Sequence, residues 1–288
     1  MDLLPVKKIK ELLSKYNAVP SKYMGQNFLI DKSALNKIIK AADLNSKDII
    51  LEVGPGIGTL TKELAEKAGG VIAIEKDGIM IEILKETLKN NKNVEILQGD
   101  ALRYNHQLKK YKIVANIPYY LTSFIIRKFL EEKNQPDLMV LMVQKEVAQR
   151  ICSKPPNMSL LAVSVQFYAK PKIISNIPKE CFWPSPKVDS AVIKITPFKQ
   201  FPAVQHPQLA DVGQPETQWQ DDTFRMLFFK IVKAGFLHPR KQLANNLSTS
   251  LKKDKKEINL WLLKNKINPS QRAETLSIEN WIYLAKSL

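Results

Sequence analysis

Cysteine is almost missing from this chain: Cys152 and Cys181 are the only two in 288 residues, with no C-x-x-C pair and no histidine cluster beside either. That excludes a disulfide framework and a structural metal site, and it points to a reducing compartment, the cytoplasm. No apolar run approaches the ~18 residues of a membrane span. Residues 1–16 interrupt their apolar character with Lys7, Lys8, Lys10 and Glu11, so they read as neither signal peptide nor anchor. Acidic residues are scarce as well: 28 Asp and Glu stand against 44 Lys and Arg, a formal charge of +16. A polyanion is the expected partner for part of such a surface. Internal repeats are not visible.

What is present is the composition of a soluble globular protein, 44% hydrophobic and 25% charged. The length exceeds what one core usually takes, about 250 residues, and implies two domains. A short amphipathic helix is expected over residues 2–16. The irregular run Lys22-Tyr23-Met24-Gly25-Gln26-Asn27-Phe28-Leu29 follows and ends at Asp31, which caps a second helix carrying Ala34, Leu35, Ile38, Ile39 and Ala42 on one face.

From Asp48 strands and helices alternate, which indicates an α/β fold with a doubly wound parallel sheet. Residues 49–53, 71–75, 94–97, 112–115 and 138–143 read as strands. Helices are expected at 59–68, from Asp77, from Thr122 with Phe124 and Ile125 inward, and at 159–168, where β-branched residues leave a strand possible. Residues 172–177 and 188–195 read as a closing strand pair, separated by the rigid loop Cys181-Phe182-Trp183-Pro184-Ser185-Pro186. Residues 200–223 have no Lys or Arg, carry Pro202, Pro207 and Pro215, and read as a linker or insertion. Residues 224–288 form a small helical domain. From Asp221 onward there are 13 Lys or Arg and 6 Asp or Glu, a net of +7.

Four successive strand ends carry polar groups: Glu52 with Gly54, Gly56 and Gly58; Glu75; Asp100; and Asn116. Ligands of open α/β sheets lie beyond the carboxyl ends of the strands. The glycines, with Glu75 21 residues beyond Gly54, also suit a dinucleotide. Two details favour S-adenosylmethionine: Glu52 precedes the glycines, where a cationic methionine end would feel it, and Asp100 is placed for an adenine amino group. Asn116-Ile117-Pro118-Tyr119 offers a carboxamide, a carbonyl turned outward before Pro118 and an aromatic ring, a set suited to an adenine amine. Alone, that stretch reads first as a strand-ending turn.

Six stretches together resemble the small-subunit rRNA adenine N6,N6-dimethyltransferases over nearly the whole chain. They are Gly25-Gln26-Asn27-Phe28-Leu29, Glu52-Val53-Gly54-Pro55-Gly56-Ile57-Gly58, Gly99-Asp100-Ala101-Leu102, Asn116-Ile117-Pro118-Tyr119-Tyr120, Val143-Gln144-Lys145-Glu146-Val147-Ala148 and the run from Phe182 to Ser190. The tail Arg272-Ala273-Glu274-Thr275-Leu276-Ser277 agrees. The resemblance implies a Rossmann-like S-adenosylmethionine-dependent methyltransferase with a small C-terminal α-helical domain. Residues 1–199 would be catalytic, residues 1–30 forming an N-terminal helix and a loop over the cofactor. It further implies S-adenosyl-L-methionine held by Asn27, Leu29, Glu52, Gly54, Gly56, Glu75, Asp100, Ala101 and Asn116. Asn116 and the Pro118 carbonyl would accept from the target amine, with Tyr119 and Phe182 stacked on its base. Arg240, Lys241, Lys252 and Lys253 would grip phosphates of small-subunit rRNA in an immature small subunit. A metal, a membrane and an oligomer are not expected, and no histidine base is required; His106 reads as a surface or loop residue.

Two alternatives stay open. The large-subunit rRNA adenine methyltransferases of the macrolide-resistance type share the Gln-Asn-Phe-Leu and Asn-Ile-Pro-Tyr patterns, and a non-catalytic ribosome-assembly factor could keep the scaffold. Phe124, where the family more often has proline, His238-Pro239, and the stretch from residue 200 to 224 depart from the family pattern.

Overall fold

The structure is a computed structural model that describes residues 3–199 and 222–288. The chain forms two compact units, Met1–Gln149 with Pro171–Pro197, and Arg150–Lys170 with Phe198–Leu288. Sequence patterning placed the boundary near residue 199, but residues 150–170 group with the helical unit. The expected linker over 200–223 lies outside the described residues, apart from its last two.

The first unit is built on strands β1 (Phe28–Leu29), β2 (Ile49–Val53), β3 (Gly70–Glu75), β4 (Val94–Gln98), β5 (Lys112–Asn116), β6 (Leu138–Gln144), β7 (Ala169–Ile177), β8 (Phe182–Trp183) and β9 (Ser190–Pro197). Its helices are α1 (Val6–Lys15), α2 (Lys32–Ala42), α3 (Thr59–Ala65), α4 (Gly78–Thr87), α5 (Thr122–Glu131) and α6 (Lys145–Ile151). Seven strands make one sheet in the order β4-β3-β2-β5-β6-β9-β7. The first five run parallel, and β9 is antiparallel to β6. Every residue of β6 from Leu138 to Val143 is buried, as a strand covered on both faces requires. Strand order reverses between β2 and β5, and the crevice beyond their carboxyl ends is where such a sheet admits a ligand.

Asp31 and Asp77 cap α2 and α4 as their sequence positions suggest, accepting from the Ala34 and Ile79 main-chain N–H at 2.6 and 2.9 Å. Two expectations fail at the scale of single residues. The segments around Phe28 and Phe182, read as irregular, pair as the antiparallel ribbon β1–β8, with Phe28 opposite Trp183 and Leu29 opposite Phe182. Two-residue strands carry no periodicity that a sequence could display. Phe124, expected inside, is 62% exposed on the outer face of α5.

His106 lies in a loop, but its ring is buried rather than at the surface. It packs edge-on to Tyr111 at 4.6 Å, and Nδ1 accepts from the Leu108 N–H. Nε2 therefore carries the proton and donates to Glu132 at 3.1 Å, fastening this loop to the end of α5.

The second unit comprises α7 (Leu160–Tyr168), α8 (Asp222–Gly235), α9 (Leu243–Leu251), α10 (Lys255–Lys264) and α11 (Ile278–Lys286). Helix α7 resolves the helix-or-strand ambiguity of residues 159–168. It belongs here because Ala162, Val163 and Phe167 enter the core formed by Phe228, Ile231 and Val232, with the Phe167 and Phe228 rings stacked at 4.2 Å. The buried Asn246 carboxamide donates to the Gly235 and His238 carbonyls at 2.7 and 3.0 Å, closing the end of α8.

Gly235 is required by packing: a Cβ there would stand 2.3 Å from the fully buried Trp281 ring. Gly235→Ala should destabilise the helical unit by about 1–3 kcal/mol through overpacking. Urea unfolding should show an earlier midpoint that Trp281→Phe partly restores; an unchanged midpoint would contradict the contact.

Candidate active site

A pocket opens beyond β2 and β5. Its wall includes Gly25 to Leu29, Glu52 to Ile57, Glu75, Lys76, Gly99 to Ala101 and Asn116 to Leu121. All the proposed cofactor positions, Asn27, Leu29, Glu52, Gly54, Gly56, Glu75, Asp100, Ala101 and Asn116, line it, and so do Pro118 and Tyr119. The sheet topology explains most of this convergence, because every group except Asn27 and Leu29 sits at or just beyond the carboxyl end of a parallel strand, and those two come from the β1 segment.

The turn after β2 brings backbone close to the pocket floor. Gly54 and Gly56 have φ of +68° and +60°, values that a side chain disfavours, and a Cβ on Gly56 would press the Phe28 ring at 3.3 Å. Glu52 is 1% exposed, and its Oε2 has no hydrogen-bond partner. Burial pushes its carboxyl up to about 8, opposed by the Thr61 hydroxyl and reinforced by Glu75 nearby. Glu75 accepts from the N–H groups of Gly56, Lys76 and Asp77 at 3.1, 2.7 and 2.9 Å. Burial still holds its pKa above the ordinary value, against those three donors. Asp100 is held low, first by the Leu102 N–H on Oδ1 and then by Lys76, whose Nζ lies 3.2 Å from Oδ2.

The Asn116 carboxamide donates from Nδ2 to the Asn27 main-chain carbonyl at 3.2 Å. A carbonyl can only accept, so Oδ1 must face the other way and is left as an acceptor. Tyr119 shares a 2.7 Å hydrogen bond with the buried Ser190 hydroxyl, which holds its ring at the pocket wall, and burial raises its pKa.

Two sequence-derived assignments change. The Pro118 carbonyl, expected to meet the target amine, already accepts from the Leu121 N–H at 2.9 Å in the 3-10 turn Tyr119–Leu121. Ile117 just before it also lines the pocket, and its carbonyl accepts no such turn bond among the described residues. Phe182, expected to stack on the base, is 2% exposed. It packs with Leu29, Leu35 and Val192 and does not line the pocket, because the β1–β8 pairing turns it into the core. Tyr120, 54% exposed at the pocket wall, is the aromatic that sequence reasoning passed over. Met24, Gln26 and Lys76 were also missed; Gln26 falls within a motif, whereas Met24 and Lys76 were signalled only by standing next to one and to the end of β3.

Among the expected phosphate contacts, Arg240, Lys241 and Lys252 are exposed on the helical unit and enter no ion pair among the described residues. Lys253 is partly buried and bridges to Glu257. No described helix is long and apolar enough to cross a membrane, and no described cluster of His, Cys, Asp and Glu could hold a metal.

The charged lining consists of three carboxylates and one lysine that is tied to one of them. That donor set repels a pyrophosphate and suits a ligand that presents a cation, hydroxyls and an amine. S-adenosylmethionine fits it, with the orphan Glu52 oxygen available to a positive group.

The Glu52 shift fixes the sign of a pH effect. Between 4.5, the ordinary glutamate value, and about 8, the folded chain keeps a proton that the unfolded chain has lost, so stability falls as pH rises through that window. Glu52→Gln removes this penalty. The variant should be more stable than wild type by a margin that opens across the window, levels off above it and reaches on the order of a few kcal/mol. Urea titrations at about pH 5, 6.5 and 8 check it; a margin independent of pH would refute the assignment.

Comparison with known proteins agrees with the geometry. The family profile described as ribosomal RNA adenine dimethylase matches residues 20–212. A protein named ribosomal RNA small subunit methyltransferase A from Dehalococcoides mccartyi is 42% identical over 277 residues, covering 94% of this chain and 89% of that one. One of the same name from Alkaliphilus oremlandii is 40% identical, covering 98% and 96%. Among solved structures, a dimethyladenosine transferase from Plasmodium falciparum aligns with a TM-score of 0.71 at 26% identity, covering 89% of this chain and 95% of that one. The 23S rRNA methyltransferase ErmE aligns at 0.70 and 24% identity, covering 91% and 99%, a likeness of fold. With its motifs gathered at one strand-order switch and its sequence aligned over nearly its whole length with these relatives, the chain belongs to the ribosomal RNA adenine dimethylase family.

Proposed function

We propose that this protein transfers methyl groups from S-adenosyl-L-methionine to the N6 amine of adenosines in small-subunit rRNA, dimethylating two adjacent adenosines during ribosome biogenesis. It acts as a monomer in the cytoplasm on the immature small subunit. The observation that carries the reading is the Asn116 carboxamide, oriented with its oxygen free, beside an acceptor-lined pocket in a chain of this family.

When bound, S-adenosylmethionine supplies an electrophilic methyl group on a sulfonium sulfur. Glu52 would face its cationic methionine end, Glu75 the ribose, and Asp100 with Ala101 the adenine, while Asn27 and Leu29 cover the site. A cation arriving beside Glu52 would draw off the proton that burial retains.

The target amine is a poor nucleophile because its lone pair is delocalised into the purine ring. Asn116 Oδ1 and the main-chain carbonyl before Pro118 would accept its N–H groups, and both interactions strengthen as the nitrogen gains positive charge. An interaction stronger in the transition state than in the ground state is what accelerates a step. A nitrogen carrying that charge sheds its proton readily, so no general base is needed. The Tyr119 ring, fixed through Ser190, and Tyr120 in the place first expected of Phe182, would stack on the base, contributing roughly 1–3 kcal/mol each. Sequence-specific RNA recognition targets unstacked bases, which is why RNA suits this pocket.

Labelled S-adenosylmethionine offered with unmodified small subunits, large subunits and DNA, followed by nucleoside mass spectrometry, tests the reading. Dimethyladenosine is expected in small-subunit RNA, and Asn116→Ala should abolish it while leaving S-adenosylhomocysteine binding within about threefold of wild type. Label only in large-subunit RNA would overturn the substrate; none at all would favour an assembly factor. Replacing both Arg240 and Lys241 with alanine should weaken small-subunit binding and lower the slope of log affinity against log salt by about 2; an unchanged slope would remove them from the interface.

A further inference from the structure

The segment Ser21–Asn27 is pinned on two sides. Its own bonds make it a compact turn: the Gln26 N–H donates to the Ser21 carbonyl at 3.1 Å, the Gly25 N–H to the Lys22 carbonyl at 3.1 Å, and the Ser21 N–H to Gln26 Oε1 at 2.8 Å. On one side Gln26 Nε2 donates to Asp77 Oδ2 at 2.9 Å. Asp77 is itself held by two further bonds, since its Oδ1 caps α4 at the Ile79 N–H and its own N–H donates to Glu75. Helix α4 buries Met80, Ile83 and Leu84. On the other side the turn meets the Asn116 motif. Gly25, at φ +66°, lies so close that a Cβ would stand 3.3 Å from Pro118 Cβ, and the Asn27 carbonyl accepts from Asn116 Nδ2.

The terminal torsion of an Asn side chain is broad and nearly two-fold, so covalent geometry does not decide which way a carboxamide faces. Here one 3.2 Å bond from Nδ2 decides it, and the position of the accepting carbonyl depends on the turn. We infer that Gln26 is a positioning residue for methyl transfer: by fastening this turn to Asp77 it places the Asn27 carbonyl that keeps the Asn116 oxygen toward the target amine. The inference rests on the proposed function and adds a link from the α4 cap to the acceptor.

The pair can be inverted. Gln26→Glu sets two carboxylates against each other and Asp77→Asn sets two donors against each other, whereas Q26E/D77N restores one hydrogen bond with its direction reversed. The exchanged side chains still offer an oxygen to the Ser21 N–H and to the Ile79 cap. With small subunits as substrate, kcat should fall at least about tenfold in Q26E. KM for the particle should stay within about twofold and the S-adenosylhomocysteine dissociation constant within about threefold. The double variant should return kcat to within about threefold of wild type. Gln26→Ala removes both side-chain bonds without adding charge and should repeat the kcat loss if Q26E fails to fold.

Wild-type kcat in Q26A or Q26E, or a double variant no better than a folded Q26E, would overturn the inference. So would a kcat loss matched by an equal loss of S-adenosylhomocysteine affinity, which would make Gln26 a cofactor-binding residue alone. Wild type that transfers nothing to small subunits overturns the function as well, whereas active wild type with unaffected variants overturns only the role of Gln26.

Discussion

Glu52 sits at the end of the central strand β2 with one carboxylate oxygen buried and unpartnered. An uncompensated buried polar group of this kind normally costs free energy. The surrounding sheet is buried deeply enough to carry it, with Ile50, Leu51, Ile113, Val114 and all of β6 up to Val143 closed to solvent. The neighbouring features follow from the same place. The left-handed glycine turn clears space beside the carboxylate, and the strand reversal next to β2 leaves the crevice open.

The pocket's two ends are held by different means. At the Glu75 and Asp100 end, backbone N–H groups and Lys76 organise the carboxylates, an arrangement local to the strand ends and the start of α4. At the Asn116 end, nothing local orients the carboxamide. Its partner lies 89 positions away in the chain, and the ring of Tyr119 is fixed by Ser190, 71 positions away. The acceptor geometry that the proposed chemistry needs is therefore a long-range product of the fold, and the β1–β8 ribbon contributes to it by seating Phe28 beside the glycine turn.

Much of this was legible in the residues. Strand and helix alternation from Asp48 onward showed the α/β fold, because β6 and its neighbours are continuous apolar runs and α4 starts at a capping aspartate. That Glu52, Glu75, Asp100 and Asn116 would line one pocket was legible too, since polar residues at the ends of successive parallel strands converge. Phe182 is turned into the core and the Pro118 carbonyl already holds one hydrogen bond, and both departures from expectation have one source. A two-residue ribbon and a single 3-10 turn leave no periodic trace, yet they decide which way a ring and a carbonyl point.

By itself, then, the sequence determined the sheet, the order of its motifs, the excess of positive charge and the family, all of which depend on local patterning and composition. The tertiary structure alone decided that one Glu52 oxygen has no partner, that residues 150–170 belong with the helical unit, that His106 is an inward staple, and that Asn116 spends its Nδ2 on the Asn27 carbonyl. Each of these depends on contacts between residues far apart in the chain, where burial and hydrogen-bond partners are set by packing and not by neighbours in sequence.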